Sequence, residues 1–364
     1  MKKHHFLFTA VLGFIAQLII SAGASPNSAM LTASKKMMIQ SQVLSTSGMK
    51  DVQIAKSPDG GKLLRFAEQS SENAKESKTH FDILHWVHSG TPTKQDVLEK
   101  EPQLAEHDIE GTCGQVEPSG KYASPFNPQV RAILRNTVTN LASSTRTSSL
   151  LLRCRLPRTA ILGYSDSARL AYINAKSVDP IDIRFGTGDA EEEKLAQDWI
   201  SWRLASVASL VKSLSTTYKT KKPTGKVAVM GSADWTRMTR GQKNTTLEDW
   251  PTWAASGLID EIVLEGDWNV PQGRTDYAAS KAALDLINAK LQAAPKTKRA
   301  PIKLTVLIPL RDTNGRALDP LSQLLTLQGQ GVKSIMLQVS DASDLPRANE
   351  FISQTLPSVQ AMLQ

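Results

Sequence analysis

The stretch Leu150-Leu-Leu-Arg-Cys-Arg-Leu-Pro157 reads as a buried strand whose end carries two arginines and a cysteine, with no carboxylate among them. In a parallel β/α barrel the chemistry sits where the strands run out at the C-terminal face, so the residues there separate an enzyme from a scaffold. At this strand end there is no acid.

Around that stretch, apolar runs of strand length fall at residues 52–55, 81–88, 149–152, 226–230, 261–264, 303–309 and 334–339. Amphipathic stretches with helical spacing lie between them, at 130–141, 194–218, 278–293, 320–330 and 348–363. Such alternation predicts α/β architecture, parallel strands joined by helical crossovers, and specifically a (β/α)8 TIM-type barrel. A closed barrel needs eight strands and the pattern supplies seven. The missing one is expected near the N-terminus, although residues 25–50 hold no convincing β run and residues 30–43 read as a helix, with Ser47-Gly48 as a turn. The expected organisation is a signal peptide over 1–24, a partly helical segment over 25–50, and a barrel, abridged at its N-terminus, over 51–364.

The signal assignment rests on Lys2-Lys3, an apolar run from Phe6 to Ile20, and the small residues Ser21-Ala-Gly-Ala-Ser25, with cleavage expected after Ala24. That apolar run is shorter than the roughly 20 residues of a bilayer span, so export to the periplasm or cell envelope is expected, with no integral span after cleavage. Losing Lys2 and Lys3 takes the formal net charge from +8 to about +6, still basic. A basic exported chain suits anionic envelope polymers. Nucleic acid is not expected, because the cations are scattered and not interleaved with stacking aromatics; Lys219-Thr-Lys-Lys222 reads as the solvated end of a helix. No metal site is expected, since no Cys or His pair has ligand spacing; His80, His85 and His88 cluster while His107 stands apart. The two cysteines, Cys113 and Cys154, are left as either one disulfide in an oxidising compartment or two buried thiols.

Several motifs occur in a telling order: Phe81-Asp-Ile-Leu-His-Trp-Val-His88, Val97-Leu-Glu-Lys-Glu-Pro102, Asp108-Ile-Glu-Gly111, Pro125-Phe-Asn-Pro-Gln-Val-Arg131, Leu162-Gly-Tyr-Ser165 with Ala168-Arg169, and Val178-Asp-Pro180. Asp198-Trp-Ile-Ser-Trp-Arg203 and Glu248-Asp-Trp-Pro-Thr-Trp253, leading into Gly257-Leu-Ile-Asp-Glu261, complete the series. Over roughly residues 80–345 the chain resembles the glycosyl-hydrolase-like family 10 of bacterial envelope proteins. The resemblance implies an exported glycosidase-type β/α barrel acting on polysaccharide such as peptidoglycan glycan strands, and it implies no cofactor. It also implies adjacent aspartates at the end of the fourth strand, where this chain has Leu151, Leu152 and Arg153.

Glycoside cleavage uses two carboxyl groups, one as acid and one as nucleophile or base. Neither leucine nor arginine replaces one, and an arginine nearby keeps a remaining acid ionised and a poor proton donor. Glu265 and Asp267, two residues apart after the strand at 261–264, are the candidate catalytic pair; as a bland alternative they are solvated salt-bridge formers. Asp234, Asp312 and Asp341 follow other strands and read as helix N-caps, with Asp234 also a candidate ligand contact. Candidate sugar contacts are His85, Trp86, His88, Asp234, Trp235 and Trp268, because an indole offers a flat apolar face with a polar edge. Trp199, Trp202, Trp250 and Trp253 read as packing residues, and Trp235 and Trp268 as either packing or ligand contacts. Three functions stay open: a barrel that binds envelope glycan without cleaving it, a glycosidase using relocated acids, and an exported interaction protein that binds no glycan.

Overall fold

The computed structural model describes residues 40–45, 54–56, 62–67, 77–87, 97–112, 120–143, 147–157, 161–235, 245–266, 277–293, 300–312, 315–329, 334–339 and 342–355. Eleven strands are present among them: β1 (Gln40–Ser45), β2 (Ile54–Lys56), β3 (Lys62–Ala67), β4 (Ser77–Asp82), β5 (His85–Val87), β6 (Gly120–Tyr122), β7 (Thr147–Arg153), β8 (Lys226–Ser232), β9 (Glu261–Glu265), β10 (Lys303–Pro309) and β11 (Ser334–Val339). The main helices are α1 (Pro128–Ser143), α2 (Asp166–Lys176), α3 (Ala190–Lys221), α4 (Trp250–Ala255), α5 (Tyr277–Ala293), α6 (Pro320–Gly329) and α7 (Leu345–Glu350).

Nine strands form one sheet in the order β1-β11-β10-β9-β8-β7-β4-β3-β2. From β1 round to β4 every pairing is parallel, seven strands in all, and β3 and β2 then continue antiparallel. The sheet curls far enough to bring β3 and β1 within 8 Å at their Cα atoms, with no hydrogen-bonded ladder between them among the described residues. Among the described residues the expected eight parallel strands are therefore seven, with an antiparallel strand at the seam. Because β2 and β3 run antiparallel, β7 is the third parallel strand in chain order among the described residues, not the fourth.

Two further expectations change. Residues 30–39 lie outside the described residues, and residues 40–43, read as the end of a helix, belong to β1, which pairs in register with β11 from Gln40↔Ser334 to Ser45↔Val339. Its Gln-Ser-Gln start carries little β signal; the unpaired edge of β11 decides the conformation, since strand propensity yields to context. The sheet thus begins inside the segment assigned to 25–50, and Ser47-Gly48 lies outside the described residues. The run 81–88 is also not one strand: β4 ends at Asp82, a turn at Ile83-Leu84 follows, and β5 pairs with β6 in a separate two-stranded sheet.

Strand side chains alternate between two buried faces. Leu151, Ala228, Met230, Val263, Leu307 and Met336 cluster on the inside of the curl. Leu150, Leu152, Val227, Val229, Ile262, Leu264, Val306, Ile308, Ile335 and Leu337 face the helices. Burial on both sides explains why these strands read as continuous apolar runs. Beneath the inner cluster, at the strand starts, the Thr305 hydroxyl bonds to Glu261 and lies 2.9 Å from Ser334 Oγ, while Lys303 Nζ lies 3.8 Å from Glu261.

The helices follow local rules. Asp189 caps α3 by accepting from the N–H groups of Glu191 and Glu192 at 2.9 and 3.0 Å, with Glu191, Glu192 and Glu193 in the first turn and Lys219 and Lys221 in the last. Lys219 reaches Asp260 at 2.8 Å, so the basic cluster ends a helix as expected. Ser165 caps α2, which ends at Ser177 in the left-handed region, φ 59°.

Candidate functional site: the mouth of the sheet

The C-terminal ends of β7, β8 and β9 come together through parallel pairing, which sets Leu151 beside Ala228 and Ser232 beside Glu265. Glu265 closes β9, and its carboxylate lies between the two arginines of the opening motif. Arg155 Nη1 ion-pairs with Oε2, and Arg153 Nε stands 3.7 Å from Oε1. The glutamate side chain is 17% exposed and each arginine 27%, so the cluster is partly shielded from water. Two cations around one carboxylate favour its ionised form, the wrong state for protonating a leaving group.

A second acid adjoins this cluster. Glu248 is buried and accepts a hydrogen bond from the Ser232 backbone N–H. The same segment is held by Trp250 Nε1, which donates to Ser232 O at 3.1 Å, and by the Leu156 N–H, which donates to Thr246 O at 2.9 Å. Gly231 makes that docking possible, because a Cβ there would lie 2.7 Å from Trp250 Cδ1. Glu248 opens the Glu-Asp-Trp-Pro-Thr-Trp motif, yet an acid just before a helix reads as helix-terminal chemistry. Nothing in the sequence placed it against the β8 terminus.

Of the other sequence candidates, Trp235 is half-buried, donates its indole N–H to Glu248 O, and meets Trp250 edge-on at 6.3 Å. Asp234 is half-buried, its N–H meeting Ser232 Oγ at 3.3 Å, and it directly precedes Trp235, whose backbone is 3-10 helical. Asp312 accepts from the Arg316 N–H at 2.8 Å, and it is Asp319 that caps α6. The N-cap reading fails at Asp312 because a turn intervenes between strand and helix. His85 and Trp86 lie on β5, in register with Tyr122 and Lys121 of β6 and outside the main sheet. His88, Cys113, Asp267, Trp268 and Asp341 lie outside the described residues. Cys154 is buried at the end of the decisive strand. Trp199, Trp250 and Trp253 are buried packing residues as expected, and Trp202 is half-buried between Trp199 and Phe126.

The remaining motifs build scaffold. Gly163 and Tyr164 donate their N–H groups to His107 O at 3.0 Å each, and Glu106 Oε1 accepts from Ser165 N–H at 2.9 Å. Arg203 is fully buried, donates to Leu162 O and lies over the Trp199 ring at 5.4 Å. Burial lowers its guanidinium to about 10, with Tyr164 and Glu106 opposing that shift. Gly163, at φ +126°, exists because any Cβ would sit 2.5 Å from Arg203 Nε. Arg169 grips Asp179 through Nε and Nη2 at 3.1 and 2.6 Å, which lowers the Asp179 carboxyl first through that hydrogen bond.

Among the described residues no group of three His, Cys, Asp or Glu side chains is placed to hold a metal ion, and no helix is long and apolar enough to cross a membrane.

A curled, largely parallel sheet wrapped by helices is the architecture of β/α barrels. The glycoside hydrolase domain of PgaB (BpsB) from Bordetella bronchiseptica shares the fold, with 15% identity, a TM-score of 0.55, and coverage of 88% of this chain and 90% of that one. Alpha-L-fucosidase isoenzyme 2 from Paenibacillus thiaminolyticus is more distant, at 11% identity and TM-score 0.47 over 78% of this chain and 37% of that chain. The family model for glycosyl hydrolase-like 10 matches residues 30–299, and the chain belongs to that family. No protein of curated function matches it.

Proposed function

We propose that this protein is an exported polysaccharide-binding barrel of the cell envelope, taking peptidoglycan glycan strands, in which hydrolysis has been lost. The observation that carries the reading is the Arg153–Glu265–Arg155 cluster, which ties the acid at the strand ends into ion pairs where a glycosidase needs one protonated carboxyl and a second as nucleophile or base. Binding is favoured by the family membership, and by a net charge of about +6 after loss of Lys2 and Lys3, which suits anionic envelope polymers. Export is supported by Lys2-Lys3, the apolar run to Ile20 and the small residues that follow; the expected check is N-terminal sequencing of the protein recovered from the envelope fraction, which should begin at Ser25.

The test pairs retention with turnover. Purified protein is mixed with peptidoglycan strands stripped of peptide, the polymer is pelleted, and both bound protein and newly released reducing ends are measured. Retention without new reducing ends is expected. Release of reducing ends by the wild-type protein, abolished in Glu265→Gln, overturns the loss of hydrolysis; failure of the wild-type protein to pellet overturns the binding.

A further inference from the structure

On the helix layer, between α1, α2 and α3, lies a groove of about 330 Å³ bordered by Phe126, Pro128, Arg131, Arg135, Ala171 and Trp202. That volume is at the lower end of small-ligand sites, which hold roughly 300–1,000 Å³. Its floor ends a column of aromatic rings. Tyr172 meets Trp199 and Trp202 edge-on at 4.7 and 5.3 Å, Trp199 stacks on Trp202 at 5.3 Å, and Phe126 stacks on Trp202 at 5.3 Å. Each ring backs the next, so the floor is preorganised.

The polar chemistry of the groove is of one sign. Arg131 and Arg135, one helical turn apart on α1, both line it, and no carboxylate does. Arg131 is committed: Nε donates to Pro125 O and Nη2 to Ser206 O, both at 2.7 Å, tying α1 to α3. Burial lowers its guanidinium, and Arg135 adds repulsion. Arg135 is exposed, and among the described residues no carboxylate pairs with it. Asp198, one turn before Trp202 on α3, acts on Tyr172 and is not part of the lining.

A neutral ligand would leave the two like charges facing one cleft, whereas an anionic group beside Arg135 offsets them. We propose that the groove binds a carboxylate-bearing sugar unit of a polysaccharide, its ring against Pro128, Ala171 and Trp202 and its carboxylate on Arg135. The proposal rests on the polysaccharide-binding reading above, and places a glycan contact on the helix layer as well as at the strand ends.

Two hexasaccharides of equal length discriminate: a hyaluronan fragment, in which alternate units carry a carboxylate, and a neutral chitin fragment. Each is titrated into the isotope-labelled full chain while the Trp202 indole N–H resonance is followed. The acidic fragment is expected to bind at least about tenfold tighter, to shift that resonance, and to weaken as salt rises. Arg135→Ala should lose about tenfold in affinity for it, and Ala171→Trp, which fills the groove, should abolish the shift; thermal melting confirms that both variants fold, and Arg135→Glu serves if the tryptophan variant does not. Equal binding of the two fragments, or wild-type affinity in the Arg135 variants, overturns the proposal. Pelleting with envelope polysaccharide separates the two readings: if the wild-type protein and Arg135→Ala are retained alike, the groove is wrong and the binding function stands, and if the wild-type protein is not retained, both fall.

Discussion

Replacing Gly163 by alanine perturbs a tightly constrained contact in the fold. The position has φ +126°, where a side chain is strained by about 1–3 kcal/mol. The new Cβ would lie 2.5 Å from Nε and 2.6 Å from Nη2 of Arg203. On an exposed arginine this would be relieved by a rotamer change. Arg203, however, is fully buried, donates to Leu162 O and is covered by Trp199, so displacing it leaves a buried charge without its partner, at about 3–5 kcal/mol. Together these reach about 4–8 kcal/mol, a large share of the roughly 5–15 kcal/mol that holds an ordinary domain together. The assay is urea unfolding followed by tryptophan fluorescence, with Gly163→Ala made in the wild-type and in the Arg203→Met backgrounds. Methionine cannot make the clash with a planar charged head, so the alanine should there cost only the backbone strain, about 1–3 kcal/mol. If Gly163→Ala alone is insoluble, recovery of soluble protein in the double variant carries the same information. A cost below about 1 kcal/mol, or an equal cost in both backgrounds, refutes the reasoning.

Other outcomes follow from the same contacts. Leu151→Ala should destabilise by about 2–5 kcal/mol, because the inner cluster has no solvent route to fill the cavity; a loss below about 1 kcal/mol in chemical denaturation would contradict a closed inner face. Glu265→Gln should lower stability by about 1–3 kcal/mol by leaving two arginines around a neutral amide, while polysaccharide retention in the pelleting assay stays at the wild-type level. Burial raises Tyr218 to about 12, so the folded state holds that proton more tightly than the unfolded chain. Its contribution is complete below pH 10 and lost as pH rises towards 12, about 1.4 kcal/mol by pH 11. Tyr218→Phe should remove that part of the alkaline fall, and identical pH profiles for the two proteins would count against it.

Much of the fold was legible because buried parallel strands leave an unmistakable mark. The runs at 226–230, 261–264, 303–309 and 334–339 became β8 to β11, since a strand covered on both faces has no room for polar alternation. β1 was illegible: its residues carry little β preference, and only the vacant edge of β11 makes them a strand. The hairpin of β2 and β3 was half-read, as one strand of a barrel, because short apolar runs do not state the direction of their partner.

The site divides in the same way. Sequence alone determined that the decisive strand ends in Arg153 and Arg155 without an acid, and that Glu265 is a carboxylate at another strand end. It could not determine that all three meet, because residues 153 and 265 are brought together only by the parallel register of β7, β8 and β9. Nor could it separate scaffold from site among the motif residues: Arg203 and Glu106 carry the residue types of a binding site, yet both are buried in the scaffold, with Gly163 packed against Arg203. Their burial is a property of how three distant segments stack, and partner choice across such distances is made by tertiary packing alone.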